Sequence, residues 1–423
     1  MRLIQKSLII TGLVILSLSQ TACDKFLSVD PPYTQDVENF FQTPEDYDRA
    51  LTGAYDMLQA SFLTMWIGEI ASDNAIAGGE SVNDSPGLHQ IDNMTHGGVN
   101  VELRNVFRWN YTGLTRANYI LENKDNIDFP GKAHIIAEAK FLRAYYYFEL
   151  VKYFGDVPLI IDRRIGIEEA LQIARSPKAE VYAQIEKDLK DASEVLNPVA
   201  SQKGRATKGA AMSFLGKVYL YQNKFTEAAA TFDEVIASGS YSLTPSYVDL
   251  FSVANENNSE TVFDVEYTGL EGGSYGCLIC LEGNAAVGFQ GIRQYNGPVY
   301  GDGNSYNLPT QALYDAFSSI DGRRAATVLD IDAFIATQPN AASITYAIGA
   351  GGHTGYYNNK YIKRQGEIGL PDNDLTSPVN YRVMRYADVL LMAAEAHYQL
   401  GHTSTAQQLV NQVRGRASVP GIP

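Results

Sequence analysis

The chain has 423 residues, 45% of them hydrophobic, enough for one large domain or two ordinary ones around a substantial core. Its formal charge of −15 argues against nucleic acid, whose phosphates need a basic patch, and against electrostatic docking on anionic lipid. Aromatic residues reach 11%, with 27 Tyr and 2 Trp; tyrosine joins an apolar face to a hydroxyl and so serves binding surfaces as well as cores.

The N-terminus reads as an address label. Arg2 and Lys6 form a short positive segment, and Leu8 to Leu18 are apolar. That run is too short to cross a bilayer, which needs about 20 apolar residues. Ser19, Thr21 and Ala22 are small or polar and stand just before Cys23. This is a secretory signal layout, and the cysteine after the cut resembles a bacterial lipoprotein signal: residues 1–22 are removed and Cys23 is lipidated. Gln20 departs from the aliphatic residue such signals usually carry there. The alternative is an ordinary signal peptide followed by an unmodified cysteine. Several acyl chains on one residue would anchor the protein stably.

Helices follow. Thr43 is placed to cap a helix, with Pro44 at its first position and acids in its first turn. Tyr47, Leu51, Ala54, Tyr55 and Leu58 then share one face. The stretch "VELRNVFRWNYTGLTRANYILEN" continues in helical period, with Trp109 on the core side. "AHIIAEAKFLRAYYYFELVKYF" predicts a long helix that stops at Gly155, with Pro158 beyond. Ser176 and Pro177 open another, which buries Val181, Ile185, Leu189, Ala192 and Leu196.

"AMSFLGKVYLYQNKFTEAAATFDEVIASG" carries the spacing of a tetratricopeptide repeat: Leu215, Gly216 and Tyr219 on one helix, Ala228 and Phe232 on the next. Gly216 lets the two helices approach, Tyr219 and Phe232 fill the gap, and Ala228 keeps it narrow. "MRYADVLLMAAEAHYQLGHTSTAQQLVNQVRGRA" repeats the plan, with Ala393, Ala394, His397, Ala406 and Val410 at the matching places and Gly401 ending the first helix.

Between the hairpins, from about 241 to 380, Gly, Asn, Tyr and Ser dominate. "ETVFDVEYT" alternates like a strand; "GFQGIRQYNGPVYGDGNSYNLP" and "AIGAGGHTGYYNNKYIKRQGEIGLPDNDL" read as long loops. Loops of that length usually serve function. Cys277 and Cys280 lie in this region as "CLIC". Without a second pair or nearby histidines they make a poor zinc site, and a structural or incidental role, including a local disulfide, is expected.

The stretches "CDKFLSVDPP", "AEAKFLRAYYYFELVKYFGDVPLI", "AFSSIDGRRAAT", "YRVMRYADVLLMAAEAHYQLG" and "LVNQVRGRA" together resemble the SusD/RagB outer-membrane lipoproteins of Bacteroidetes-type bacteria. The resemblance runs from Cys23 to the end. It implies a mainly α fold: tetratricopeptide-like helical hairpins as scaffold (about 44–240 and 381–417) and an irregular, loop-rich region with short strands (about 241–380), in a single domain over 23–423. It implies a lipid-anchored protein of the outer membrane, exposed on the cell surface, that captures oligosaccharides and hands them to a SusC-like TonB-dependent transporter. The Asp24–Lys25 start fits that surface location. Family members continue past the "VRGRA" helix, so the stop at "SVPGIP" implies a truncated C-terminus and a last hairpin whose apolar face lacks cover.

The resemblance also points to the ligand surface: the loops after the first helix and loops of the irregular region. In "MWIGEIASDNAIAGGESVNDSPGLHQIDNM" and "IRQYNGPVYGDGNSY" the expected contacts are Trp66, Asp73, Asn74, Asn93, Arg293, Tyr295 and Tyr300. Rings stack on sugars and polar groups bond hydroxyls, each bond contributing about 0.5–1.5 kcal/mol net. Plain structural readings stand beside these. Trp66, between Met65 and Ile67, equally suits a core; Asp73 and Asn74 suit a turn; Tyr295 and Tyr300 flank "NGP" and suit packing around it. Glu69 and Asp73, four apart, are expected on a solvated helix face rather than as a catalytic pair. No zincin, nucleophile-elbow, phosphate-loop or dinucleotide motif is present, so no enzyme, metal or cofactor is expected. The same fold binding peptide or another nutrient is the alternative, and a pure interaction scaffold, using the concave face of a hairpin array, is a third.

Overall fold

The computed structural model describes residues 40–161, 163–367 and 375–423. The signal segment 1–22 and Cys23 lie outside the described residues. Contacts divide the chain at Thr43, and Pro44–Pro423 form one unit.

Helices α1 (Pro44–Asp56), α2 (Ser61–Ile70), α3 (Pro86–Asp92), α4 (Val101–Glu122) and α5 (Lys132–Phe154) come first. After them run α6 (Lys178–Val195), α7 (Lys208–Tyr221) and α8 (Phe225–Ala237). The last pair is α9 (Tyr386–Gln399) and α10 (Thr403–Arg416). Their ends are chemically marked. Asn100 accepts from the amides of Glu102 and Leu103 at 3.0 and 3.1 Å and starts α4. Thr207 does the same for α7 through Ala210 at 3.1 Å. Gly155, at φ 67°, ends α5.

Helix α5 is buried along most of its length, on every side from Ala137 to Val151. Such all-round burial belongs to a central helix. It packs against α4 and α6. At the second contact Arg143 forks onto Asp188, at 2.8 and 2.7 Å, with both side chains buried. A buried charge is tolerable only with its partners in place, and Asn118 at 3.1 Å supplies a third.

The two hairpins are α7–α8 and α9–α10, and α8 packs directly on α9. A β-carbon on Gly216 would lie 2.6 Å from the Phe232 ring, so glycine is what allows that crossing. Ala228 and Phe232 are fully buried. In the second hairpin Ala393, Ala394 and Ala406 are buried, and His397 bonds Asp233 of α8 at 3.0 Å.

Small strand pairs follow: β1 (Ala75–Ala77), from the turn after α2, with β5 (Asn307–Pro309), and, within the stretch between the hairpins, β2 (Thr261–Val265) with β8 (Tyr381–Arg385), β3 (Ile292–Arg293) with β4 (Asp302–Gly303), and β6 (Val328–Asp330) with β7 (Tyr356–Asn358). All are antiparallel except β3–β4. Ile292, Leu308, Ile331, Tyr357 and Ile362 centre a core of this region, and Ile76 of β1 packs against it. Cys277 and Cys280 form a disulfide.

Candidate functional site

Three loop segments meet beside β1. Segment 77–84 leaves β1 through Gly78 and Gly79. Segment 345–352 lies against it so closely that a β-carbon on Gly349 would sit 1.9 Å from the Gly79 carbonyl oxygen. Only a residue without a β-carbon fits such a backbone approach. The Ala350 amide donates to Glu80 O at 2.8 Å, and the Ala347 amide to Arg293 O at 2.8 Å, which ties in the third segment, 293–306.

At that junction Asp84 is the hub. Its carboxylate accepts from the Tyr306 hydroxyl at 2.7 Å, the Glu80 amide at 2.9 Å and Arg293 Nη2 at 3.3 Å. Arg293 Nη2 also reaches Glu80 Oε2 at 3.4 Å. Its Nε is buried and has no hydrogen-bond partner among the described residues. The Tyr306 phenol is pushed above its ordinary range, first by burial and then by its bond to Asp84. It therefore stays protonated and keeps donating.

An aromatic row leads outward from the same place. Trp66 stacks on Phe289, centroids 5.1 Å apart, and lies 5.4 Å from Tyr306. Phe289 in turn meets Tyr275 at 6.5 Å, and Tyr275 is 61% exposed. Tyr275 sits two residues before the Cys277–Cys280 disulfide. On segment 345–352 and its end, Tyr346 and His353 pair at 6.0 Å, both half-buried. An exposed ring at one end of this row and a fixed guanidinium, carboxylates and a phenol at the other can stack one part of a hydroxyl-rich chain while bonding another.

The sequence-predicted residues divide. Arg293 stands in the junction. Asp73 and Asn74 are exposed at the start of β1, where their carbonyls hold Thr310 through its hydroxyl at 3.1 Å and its amide at 2.9 Å. Asn93 is exposed after α3 and donates from Nδ2 to His89 O at 2.7 Å, closing that helix. Trp66, Tyr295 and Tyr300 correct the expectation of open stacking faces. Trp66 is 5% exposed, because α2 turns it inward onto Phe289. Tyr295 and Tyr300 are buried in the loop-region core, with hydroxyls bonded to Pro298 O at 2.8 Å and Asn359 Oδ1 at 3.3 Å. Glu69 is also turned inward rather than solvated. It accepts from Asn307 and Asn358 at 2.5 and 3.0 Å, and burial raises its carboxyl above the usual range. Asp84, Tyr306 and Tyr275 were not singled out from sequence. The first two lay inside the quoted loops, but nothing in spacing pairs residues more than two hundred positions apart; Tyr275 lay in the cysteine segment, read there for its thiols.

Comparison with known proteins follows the same outline. Residues 25–220 match a family described as starch-binding and associating with the outer membrane, and residues 232–423 match the SusD family. SusD-like protein P2 of Formosa agariphila is 30% identical over 421 residues, covering 96% of this chain and 80% of the relative. Among solved structures, a laminarin-binding SusD-like protein superimposes with a TM-score of 0.81 at 32% identity, over 90% of this chain and 86% of the other. Surface glycan-binding protein A from Bacteroides fluxus gives 0.77 at 25% identity, over 90% and 83%. Hairpin scaffold, inserted loops and near-complete alignment agree: the chain belongs to the SusD/RagB family.

Proposed function

We propose that this protein captures oligosaccharides at the cell surface, held to the outer membrane by lipid on Cys23, and passes them to a SusC-like TonB-dependent transporter. It binds its ligand without cleaving it. The observation that carries the reading is the Asp84–Arg293–Tyr306 junction, joined through Phe289 to the exposed Tyr275 ring, in a chain 32% identical to a laminarin-binding SusD-like protein. A neutral sugar offers no charge to grip, so several modest hydrogen bonds and one stacked ring must supply affinity. Arg293 and Asp84 bond hydroxyls, and Tyr275 stacks on a ring face. Asp73, Asn74 and Asn93 extend the polar rim. Trp66, Tyr295 and Tyr300 support these loops from beneath.

The test is affinity electrophoresis and calorimetry of the soluble protein, begun after Cys23, against laminarin and a panel of other polysaccharides, with Tyr275→Ala and Arg293→Ala alongside. Retardation by one glycan class, reduced in both variants, is expected. Failure of a demonstrably folded protein to bind any glycan, or turnover of the glycan it binds, would overturn the reading.

A further inference from the structure

The chain contains a single Asn-Gly pair, Asn296–Gly297, and it stands inside the loop segment 293–306. Such a pair carries its own chemistry. Glycine has no side chain to shield its amide nitrogen, and the asparagine before it offers an electrophilic carbon, Cγ, at the distance that closes a five-membered ring. Whether the pair reacts depends on what holds it, and here both reacting groups are unheld. Asn296 is exposed. Among the described residues its side-chain amide has no hydrogen-bond partner, and nothing accepts from the Gly297 amide.

Packing requires the glycine. A β-carbon on Gly297 would lie 2.5 Å from the Tyr295 hydroxyl oxygen and 2.8 Å from a methyl of Ile344. Tyr295 is held in place, because it is buried and its hydroxyl donates to Pro298 O at 2.8 Å. The labile pair is thus a consequence of how closely the chain folds around Tyr295.

The backbone around the pair is strained and lightly tied. Gln294 and Val299 have φ of 49° and 74°, a region that side chains, β-branched ones above all, rarely adopt. Asn296 pairs with Thr345, amide to carbonyl at 2.8 Å and back at 3.1 Å. This is an isolated bridge outside any strand. It opens without taking a ladder with it, and local openings of exposed loops lie at the low end of the free-energy range. Once it is open, the Asn296 backbone is free to turn Cγ onto the Gly297 nitrogen.

We propose that Asn296 is a site of spontaneous succinimide formation and conversion to isoaspartate, and that this modification loosens the loop junction. In the first step the Gly297 nitrogen bonds to Asn296 Cγ, the Cγ–Nδ2 bond breaks, and the Gly297 amide proton leaves with Nδ2 as ammonia. In the second, water opens the cyclic imide. Opening at Cγ gives aspartate in an unchanged chain. Opening at the α-carbonyl gives isoaspartate, in which the chain runs through Cγ and is one carbon longer. Water is the only co-reactant, and nothing is oxidised or reduced. Both products gain a negative charge, and isoaspartate displaces the carbonyl that accepts from Thr345. The bridge then no longer closes. Together with the Ala347–Arg293 bond it ties segment 345–352 to segment 293–306, so Arg293 loses part of its support. This last consequence for binding rests on the glycan reading; the covalent change does not.

The test holds the soluble protein, begun after Cys23, folded in mildly alkaline buffer and follows it by peptide mapping, with isoaspartate read by enzymatic methylation. The urea-unfolded chain gives the reference rate. Asn296 should lose its amide ahead of every other asparagine, at a rate within about tenfold of the unfolded chain, as an opening of low free energy allows. Asn296→Gln, whose longer side chain needs a larger ring, should stay intact. Ion exchange separates the product by its added charge. In that product hydrogen exchange at the Thr345 amide should be about tenfold faster, and the affinity for laminarin by calorimetry about tenfold lower, the effect of losing one or two hydrogen bonds. Aged Asn296→Gln should keep the values of fresh protein. An intact Asn296 in the folded protein over a period that converts the unfolded chain, or earlier loss at other asparagines, would overturn the site. Unchanged exchange and affinity in the purified product would overturn its link to the junction. If fresh protein binds no laminarin, the mass and exchange measurements still decide the proposal, and the failure belongs to the glycan reading.

Discussion

The Tyr146 ring occupies the space that a side chain on Gly113 would need: a β-carbon built there would lie 2.3 Å from the ring's Cζ. Tyr146 cannot swing away, because its hydroxyl donates to Ala54 O at 2.6 Å in the buried interior. This contact sets how near α4 comes to α5. Alanine is the better helix former by about 1 kcal/mol, but overpacking a rigid core costs roughly 1–3 kcal/mol. Gly113→Ala should therefore lower the melting temperature by several degrees in a circular-dichroism melt. An unchanged or raised midpoint would show that the helices have room.

Arg293→Ala should weaken glycan binding by roughly 10- to 100-fold, the range expected when hydrogen bonds from a charged group are lost. Tyr306→Phe, which removes only the hydroxyl on Asp84, should have the smaller effect. Isothermal titration with the glycan found in the panel measures both. Equal affinities for Arg293→Ala and the parent protein would remove the junction from the binding surface.

The Cys277–Cys280 bridge closes a loop of a few residues, so its entropic contribution is small, about 2 kcal/mol or less. Replacing both cysteines by serine should leave the melting temperature nearly unchanged. Affinity should nevertheless drop, since the segment that presents Tyr275 loses its tie. A variant that melts early but binds normally would assign the bridge to stability alone.

Asp264 brings a pH dependence. Burial pushes its carboxyl up to about 7, Glu266 and Glu256 add to the rise, and Arg382 at 3.5 Å opposes it only in part. The unfolded value is near 3.9. The folded state therefore binds the proton more tightly, and the resulting stability is fully present below about pH 4 and lost as pH rises through about 7. Asp264→Asn should flatten the melting temperature between those limits, an effect of roughly 2–4 kcal/mol. A parent protein equally stable at pH 4.5 and 8 would contradict this assignment.

The helical scaffold was legible because its signals are local. Gly216 and Phe232, sixteen residues apart, carry the hairpin spacing and meet as that spacing requires. Val181, Ile185 and Leu189 follow one face and are all buried. The loop region was legible only as loops. Its core joins Ile292 to Ile362, and its polar hub joins Asp84 to Arg293 and Tyr306; such pairings leave no period in the sequence. Tyrosine was the residue most easily misjudged. Tyr295, Tyr300 and Tyr275 look alike in a loop, and only tertiary packing buries two and exposes the third.

The β2–β8 pair has a consequence for how such a protein changes. Val265 faces Tyr381, and the Tyr267 amide donates to Asn380 at 2.9 Å. The chain leaves the hairpins after Val265 and rejoins them at Tyr381 through this one strand pair. With its ends already fixed, lengthening the intervening chain costs little, about 0.6 kcal/mol per doubling for a flexible loop. The region is tied a second time to the N-terminal helices, by β1–β5 and by Asn307 and Asn358 on Glu69, so it is the loops between these ties that can be recut into another recognition surface while the α7–α8 and α9–α10 hairpins keep their packing.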